Sequence, residues 1–289
     1  MSEARARITI VTVAYNSAAV LPDMLASVPA GVPVAIVDNA SRDLAELRAL
    51  AATDGVTLIE NAKNEGFGRG CNRGAEAART EFVLFLNPDT VLLPTTLTDL
   101  LTAADAHPDA SAFNPRILDE SGRAILKRRS DLVARRDWLP KGELSQDTLV
   151  PVLSGAALMV RKADFDAVGG FDPKIFLFFE DDDLSIRLAQ SCGPLIFVHA
   201  ASVQHVGGAS SHPSREGERL KNWHWGWSQI YTTTKHRGRA ACVAAYAKTG
   251  LRALSPATLA SAQRRRKYAA RLSGMIAALI GSGKDDFRG

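Results

Sequence analysis

ITIVTVAYNSAAVLPDMLASVPAGVPVAIVDNAS, residues 8–41, is a pair of short apolar, β-branched runs separated by one segment of helical spacing. The first run, Ile8–Ala14, stops at Tyr15-Asn16-Ser17, and the second, Val34–Val37, stops at Asp38-Asn39. The pattern repeats outward: Val56–Ile59 ends at Glu60-Asn61, and Phe82–Leu86 ends at Asn87-Pro88-Asp89. Continuous apolar runs of this length suit strands buried on both faces of a parallel sheet. Helical spacing fills the gaps, at Val20–Val28, Leu44–Leu50, Ala75–Ala78 and Leu97–Ala106. Strand and helix therefore alternate, which predicts an α/β, mostly parallel, Rossmann-like twisted sheet with right-handed crossovers and flanking helices. Ligands of such sheets bind beyond the carboxyl ends of the strands, which places Asp38, Asn61 and Asp89 on one rim. No GxGxxG follows the first strand and no GxxxxGK[ST] occurs, so the dinucleotide and P-loop readings lose their main support.

A chain of 289 residues can bury a sizeable core, and the expected organisation is one large domain over 1–212 with a helical extension over 213–289. Apolar residues at 46% and charged residues at 23% are ordinary for a soluble globular protein, and no run approaches the length of a membrane span. Cys71, Cys192 and Cys242 are widely spaced and form no CxxC, arguing for a reducing, cytoplasmic setting rather than a disulfide framework or a zinc site. Ile8–Ala14 is too short and too soon polar for a secretory signal. The basic residues from Lys235 to Arg271 have no Asp or Glu among them. They sit on what reads as a tail helix rather than an aromatic-interleaved platform, so a nucleic-acid partner is not expected.

Gly155–His205 carries the densest chemistry. Glu180-Asp181-Asp182-Asp183 follows an aromatic run, Phe176–Phe179, and opens a helical pattern. Such acids suit a solvated helix N-terminus. Beside an apolar wall, however, repulsion and desolvation raise some of their pKa values and make a usable base. Asn64–Gly74 holds Gly66, Gly68, Gly70 and Gly74, costly residues in a helix; they point to close backbone approach, read here as amides lying along a nucleotide, with tight packing on the sheet as the alternative. Residues 119–150 read as a mobile, solvated excursion or else an acceptor flap, and Gly207-Gly-Ala-Ser-Ser211 as a flexible turn. Trp223, Trp227, Ile230 and Tyr231 share a helical face suited to core packing, with contact to a lipid-linked ligand as the alternative for part of it. Arg264-Arg-Arg-Lys267, with apolar residues from Leu272 to Ile280, forms a basic amphipathic helix that suits either an anionic membrane surface or a cap on the domain.

Thr12-Val-Ala-Tyr-Asn16, Val37-Asp-Asn-Ala-Ser41, Asn64-Glu-Gly-Phe-Gly68 with Asn72, Leu86-Asn-Pro-Asp89, Gly169-Gly-Phe-Asp172, Phe179–Leu184 with Arg187, and His205 occur in an order that resembles inverting GT-A glycosyltransferases of family 2, in the rhamnosyltransferase-like branch. The resemblance covers roughly residues 8–210. It implies a UDP- or dTDP-sugar donor lying along Thr12, Ala14, Tyr15, Asn16, Asp38, Asn39, Asn64, Gly66, Phe67, Gly68, Asn72, Asn87, Pro88, Asp89 and Gly155, with Asp38 accepting the N3–H of uracil or thymine. It implies Mg²⁺ or Mn²⁺ held by Asp89 and His205, although Asn87 stands where the family's DXD motif has its first Asp. Asp181, paired with Glu180, is implied as the base that deprotonates a hydroxyl of a lipid-linked or polysaccharide acceptor. Asp183 is expected to brace its helix through Arg187. The competing reading is a nucleotide-sugar-binding module without turnover, for which Asn87 is the best support.

Overall fold

The computed structural model describes residues 7–205 and 214–281; the 207–211 turn lies outside the described residues. In chain order the elements are β1 (Ile8–Ala14), α1 (Leu21–Ser27), β2 (Val34–Asp38), α2 (Leu44–Leu50), β3 (Val56–Glu60), α3 (Phe67–Ala77), β4 (Phe82–Leu86), β5 (Thr90–Leu92), α4 (Thr96–Ala106), β6 (Ala112–Leu118) and β7 (Ala124–Ile125). A 3-10 turn at Arg135–Asp137 leads to β8 (Thr148–Leu149), β9 (Ala157–Arg161), α5 (Lys162–Ala167), α6 (Glu180–Ser191), β10 (Leu195–His205), α7 (Arg215–Ala253), α8 (Pro256–Leu259) and α9 (Ala262–Leu279). The described chain divides into two compact units: residues through Asp172 with those from Asp181 to the end of β10, and residues 173–180 with the three last helices.

In the first unit, the sheet runs β3-β2-β1-β4-β9-β6-β10-β5, with β7 beside β6 and β8 beside β10. β3, β2, β1 and β4 are mutually parallel, as is the β6–β10 pair, while β9 runs antiparallel to both its neighbours. The expected mostly parallel α/β sheet is thus present. Alternating side chains of β1 and β4 feed opposite faces. Ile8, Ile10, Phe82 and Leu84 pack with Leu21, Met24 and Leu100; Val11, Val13, Val83 and Phe85 pack with Cys71, Phe165, Phe171 and Leu184. Each such side chain contributes about 1.5–3 kcal/mol of hydrophobic stabilisation. β1, β2 and β4 are buried throughout, as their sequences predict. β3 is not: it is the edge strand, with Thr57 and Glu60 exposed and the other residues half-buried.

The glycine-rich segment corrects a boundary. The helix expected from Ala75 starts at Phe67, so Gly68, Gly70 and Gly74 lie inside α3. A Cβ at Gly70 would meet Val13 Cγ1 at 2.8 Å, and one at Gly74 would overlap Val11 and reach Val37 Cγ2 at 3.1 Å. Four residues apart, these two glycines form one helix face, and what the backbone approaches closely there is the sheet. Gly66, at φ 89°, caps the helix start in a conformation that favours glycine.

The 119–150 excursion is largely exposed, as expected, and carries hydrogen bonds of its own and one to β10. Arg128 donates to the carbonyls of Pro140 and Gly142, Trp138 Nε1 donates to Ser130 O at 3.1 Å, and His199 N donates to Asp147 Oδ1 at 2.8 Å.

In the second unit, α7 and α9 lie against one another. A Cβ at Gly226 would collide with Arg271 O and one at Gly274 with Trp223 O. That close approach changes the expected aromatic stripe. Trp223, Trp227 and Tyr231 are only half-buried, and the buried positions of α7 include His224, Ser228, Gln229 and Ile230. α7 is broken at Gly238, whose φ is 77°. Among the described residues no helix is long and apolar enough to cross a membrane.

Candidate active site

The parallel register levels the ends of the strands. Ala14 pairs with Asp38, and Asp38 with Glu60. Val11 pairs with Phe85, so Ala14 stands level with the residues just after β4. The polar strand ends of the sequence therefore do form one rim. Their backbones are stitched together: Asn39 N donates to Ala14 O at 2.8 Å, and Asn61 N to Asp38 O at 2.9 Å. Asn16 N donates to Ser41 Oγ, and Asn16 Oδ1 accepts from Arg42 N. Asn16 and Ala40 both sit at positive φ, 54° and 60°. Left-handed backbone at a non-glycine residue is costly and persists where surrounding contacts impose it.

Asp38 is buried, and its Oδ1 accepts from Ser41 N at 3.0 Å. Asn61 Nδ2 donates to Asn39 Oδ1, and Asn39 Nδ2 donates to Gly66 O, an amide relay that fixes the entrance to α3. The relay is not apparent from the sequence, where Asn39 and Gly66 stand as separate motif members. Asn64 Oδ1 accepts from Gly66 N. Thr12 is buried inside β1 and its Oγ1 has no hydrogen-bond partner. Phe67 meets Phe171 edge-on with ring centres 6.0 Å apart, and a Cβ at Gly68 would meet Phe171 Cβ at 2.9 Å. Asn72 spans both sides of the Phe171 peptide, Nδ2 donating to its carbonyl at 2.9 Å and Oδ1 accepting its N–H at 2.8 Å. The structure thus gives Asn72 a role in pinning the loop before residue 173.

Beyond β4, Asn87 N donates to Ala156 O, and Thr90 N to Asn87 O, closing a turn around Pro88 and Asp89. β10 pairs antiparallel with β5, with His205 opposite Thr90. That register brings His205 Nε2 to 3.2 Å from Asp89 Oδ1. The carboxylate raises the imidazole above its ordinary pKa, against the opposing effect of partial burial. The contact nonetheless falls short of hydrogen-bond geometry, and buried Asp89 Oδ1 has no hydrogen bond. One buried carboxylate oxygen and one imidazole converging in this way fit a divalent cation. Among the described residues no group of three or more His, Cys, Asp or Glu could hold a metal alone. Substrate phosphates and water would have to complete the shell, which is how Mg²⁺ and Mn²⁺ commonly bind.

The acidic turn opens α6, and a solvated face does not describe it. Glu180, Asp182 and Asp183 are each buried. Arg187 Nε donates to Asp183 Oδ2 at 2.8 Å and its Nη1 to Val168 O, the brace expected from the spacing. Asp181 Oδ2 accepts from Gly155 N at 3.0 Å. Gly155 adjoins Ala156, the partner of Asn87, so Asp89 and Asp181 belong to the same rim. A Cβ at Gly155 would meet Asp181 Cβ at 3.4 Å and Phe67 Cε1 at 3.6 Å.

Lys127, which with Arg128 and Arg129 falls in the excursion the sequence reads as solvated, lies inside this site. Its Nζ is 2.7 Å from Asp181 Oδ2 and 3.2 Å from Asp182 Oδ1. The expected raising of acid pKa values therefore falls unevenly. Burial pushes Asp181 up, but the Lys127 ammonium, with the Gly155 and Asp182 amides, outweighs it and holds Asp181 below its usual value. Burial takes Asp182 up to about 6, with the Asp181 charge adding and Lys127 and Ser130 opposing. Asp181 is thus the carboxylate and Asp182 the group that protonates first.

The model of the family described as "Glycosyl transferase family 2" matches residues 9–169, more than half of the chain. The chain is 30% identical over 229 residues to an N-acetylglucosaminyl-diphospho-decaprenol L-rhamnosyltransferase of Mycobacterium tuberculosis, covering 68% of this chain and 75% of the relative. It is 28% identical over 162 residues to rhamnosyltransferase WbbL of Escherichia coli, covering 51% of this chain and 60% of the relative. Among solved structures, a Pyrobaculum calidifontis mannosyltransferase in complex with GDP-Man and Mn²⁺ superposes with a TM-score of 0.59 at 17% identity, covering 96% of this chain and 86% of that one. S. aureus TarS 1-349 in complex with UDP-GlcNAc does so with a TM-score of 0.56 at 15% identity, covering 95% and 92%. At such identities the structural likeness speaks for the fold alone. The match of the family model across most of the rim-bearing half of the sheet is what shows descent, and this chain belongs to glycosyl transferase family 2 as a glycosyltransferase.

Proposed function

We propose that this enzyme moves a hexose, rhamnose being the first to test, from a UDP- or dTDP-sugar to a hydroxyl of a lipid-linked or polysaccharide acceptor, with inversion. The observation that carries the reading is the short path from Asp89 to Asp181 through the Asn87–Ala156 and Gly155–Asp181 hydrogen bonds. Asp38, with Oδ1 held by Ser41, offers a carboxylate to the base N3–H; uracil and thymine carry that proton and cytosine does not. Asp89 and His205 would hold a divalent cation, which when bound neutralises charge on the departing nucleoside diphosphate. Asp181, ionised and anchored by the Gly155 amide, takes the proton of the acceptor hydroxyl as its oxygen attacks the anomeric carbon opposite the diphosphate. Both rhamnosyltransferase relatives support the sugar, and the diphospho-decaprenol in one name supports a lipid-linked acceptor.

A membrane-surface contact through the second unit fits that acceptor. Leu251, Leu254, Leu259, Ile276, Leu279 and Ile280 are exposed, among basic residues with no acid from Lys235 to Arg271. Apolar side chains with a cationic surround suit an anionic lipid interface. The three free cysteines suit its cytoplasmic side.

The test is sugar transfer over a panel of UDP- and dTDP-sugars, with and without Mn²⁺, using the native chain and Asp181→Asn. The variant should lose about 10²–10⁴ in turnover while still binding nucleotide. Undiminished transfer by Asp181→Asn removes the assigned base. Nucleotide binding by the native chain with no product across a broad acceptor set favours the binding-module reading.

A further inference from the structure

Lys127 is a partly buried cation that the reaction as described leaves unused, and its surroundings are specific. It reaches the site from the excursion between β7 and the 3-10 turn, and bridges Asp181 Oδ2 and Asp182 Oδ1. Its side chain is 25% exposed, against 18% for Asp181 and 8% for Asp182. The groups that act on Asp181 come from three elements: Lys127, the Gly155 amide before β9, and Asp182 with its amide on α6. Ser130 acts on Asp182 from the same excursion as Lys127. The next charge along α6, Asp183, is already paired with Arg187. Among the described ion pairs, Lys127 is therefore the cation that compensates these two carboxylates.

We propose that Lys127 is a positioning residue for the transfer reaction, holding Asp181 ionised and aimed so that Asp181, and not Asp182, accepts the acceptor's proton. The inference rests on Asp181 being the base. With both acids ionised, the cluster of one ammonium and two carboxylates carries a net charge of −1. Proton transfer from the acceptor hydroxyl to Asp181 brings it to zero, and the Lys127–Asp182 pair stays intact and compensated. Without Lys127 the same pocket starts at −2. Two adjacent, largely desolvated carboxylates with no counter-cation raise one another's pKa, so the pair takes up a proton at higher pH, before the acceptor arrives.

The direct test needs no substrate. The side-chain carboxyls of the full chain are observed by ¹³C NMR with labelled aspartate, and the resonance absent from Asp181→Asn is assigned to Asp181. In the native chain that carboxyl should titrate below the ordinary aspartate value, held there by Lys127 and the Gly155 and Asp182 amides. In Lys127→Met a protonation shared by Asp181 and Asp182 should appear at a pH higher by at least about 1, and Lys127→Arg, which keeps the positive charge, should restore the low value. The kinetic counterpart is the ratio of variant to native kcat/KM for the donor that the panel identifies. In Lys127→Met this ratio should fall about tenfold for each step of one in pH below the raised midpoint, whereas loss of packing alone leaves it flat. If Lys127→Met disturbs the fold by near-ultraviolet circular dichroism, Lys127→Gln, which retains a donor and nearly the same length, carries the same titration. An unchanged Asp181 midpoint in the folded variant overturns the inference. Because Asp181→Asn separately decides whether Asp181 is the base, that result leaves the proposed function standing, whereas undiminished transfer by Asp181→Asn removes the assigned base and this inference with it.

Discussion

Gly74→Ala isolates what the glycines of α3 do. An added Cβ would sit inside van der Waals contact of Val11 Cγ1, with Val37 Cγ2 at 3.1 Å and Val11 Cγ2 at 3.2 Å. Val11 and Val37 are 1% and 0% exposed on two central strands, and branching at Cβ leaves each few alternative rotamers. Overpacking a core costs about 1–3 kcal/mol, and this site belongs at the upper end because neither neighbour can retreat. Replacing a helical glycine by alanine returns up to about 1 kcal/mol. The net expectation is a loss of about 2 kcal/mol, or a melting point lowered by roughly 4–8 °C for a unit of this size. Gly250 provides the opposite case: it too is helical, yet nothing lies within 4 Å of its added Cβ. Gly250→Ala should stabilise by about 0.5–1 kcal/mol. Both variants are read by thermal and urea unfolding, with UDP and dTDP binding measured alongside. A Gly74→Ala protein that melts with the native chain but binds nucleotide poorly would show that the glycines serve the ligand and not the sheet, and refute the packing argument.

Asp89→Ala should abolish the Mn²⁺-dependent part of nucleotide binding and leave the Mn²⁺-independent part, measured by titration calorimetry with and without EDTA; unchanged Mn²⁺ dependence would place the cation elsewhere. His224, buried and stacked on Phe176 with ring centres 4.4 Å apart, is pushed down by burial to about 4. Its folded pKa lies below the unfolded value near 6.5, so the unfolded chain binds more protons and stability falls as pH drops from about 6.5 toward 4, by on the order of 2–3 kcal/mol; His224→Phe should flatten that slope in pH-dependent melting. Leu251→Glu with Leu254→Glu should weaken sedimentation with phosphatidylglycerol-containing vesicles at least severalfold while leaving nucleotide binding intact, and undiminished sedimentation would remove the membrane reading.

The sheet is legible because buried parallel strands must be apolar throughout, and β1, β2 and β4 are. The rim is legible for a related reason: each of those strands stops on a side chain that cannot be buried unpaired. What the sequence hides depends on long-range placement. The start of α3 is obscured because glycine's low helix propensity outweighs everything visible locally, whereas Val11 and Val13, some sixty residues earlier, are what require it. Lys127 is hidden by its basic neighbours. A lysine between an arginine pair and an apolar segment gives no local sign that two carboxylates more than fifty residues later will enclose it. The acidic turn is concealed in the same way, since its burial comes from other elements and not from its own spacing.

The strand-end rule also reaches only half of the site, and the topology explains why. In a wholly parallel sheet every ligand-facing residue would follow a strand, as Asp38 and Asp89 do. β9, however, runs antiparallel to β4, with Leu86 opposite Ala157. The residues that lead into β9 therefore stand beside those that leave β4, and Gly155 reaches the rim by preceding its strand. On the proposed reading, the donor side of the site is built where parallel strands end and the acceptor side where an antiparallel one begins. The Asn87–Ala156 hydrogen bond joins the two at the seam. In the proposed reaction this seam would set the spacing between a diphosphate near Asp89 and a hydroxyl at Asp181, and positioning of that kind supplies much of the barrier reduction in a single displacement. It follows that the loops on either side can vary in sequence with the sugar and the acceptor, while Gly155 must keep both its N–H donor and its lack of a side chain for Asp181 to stay in place.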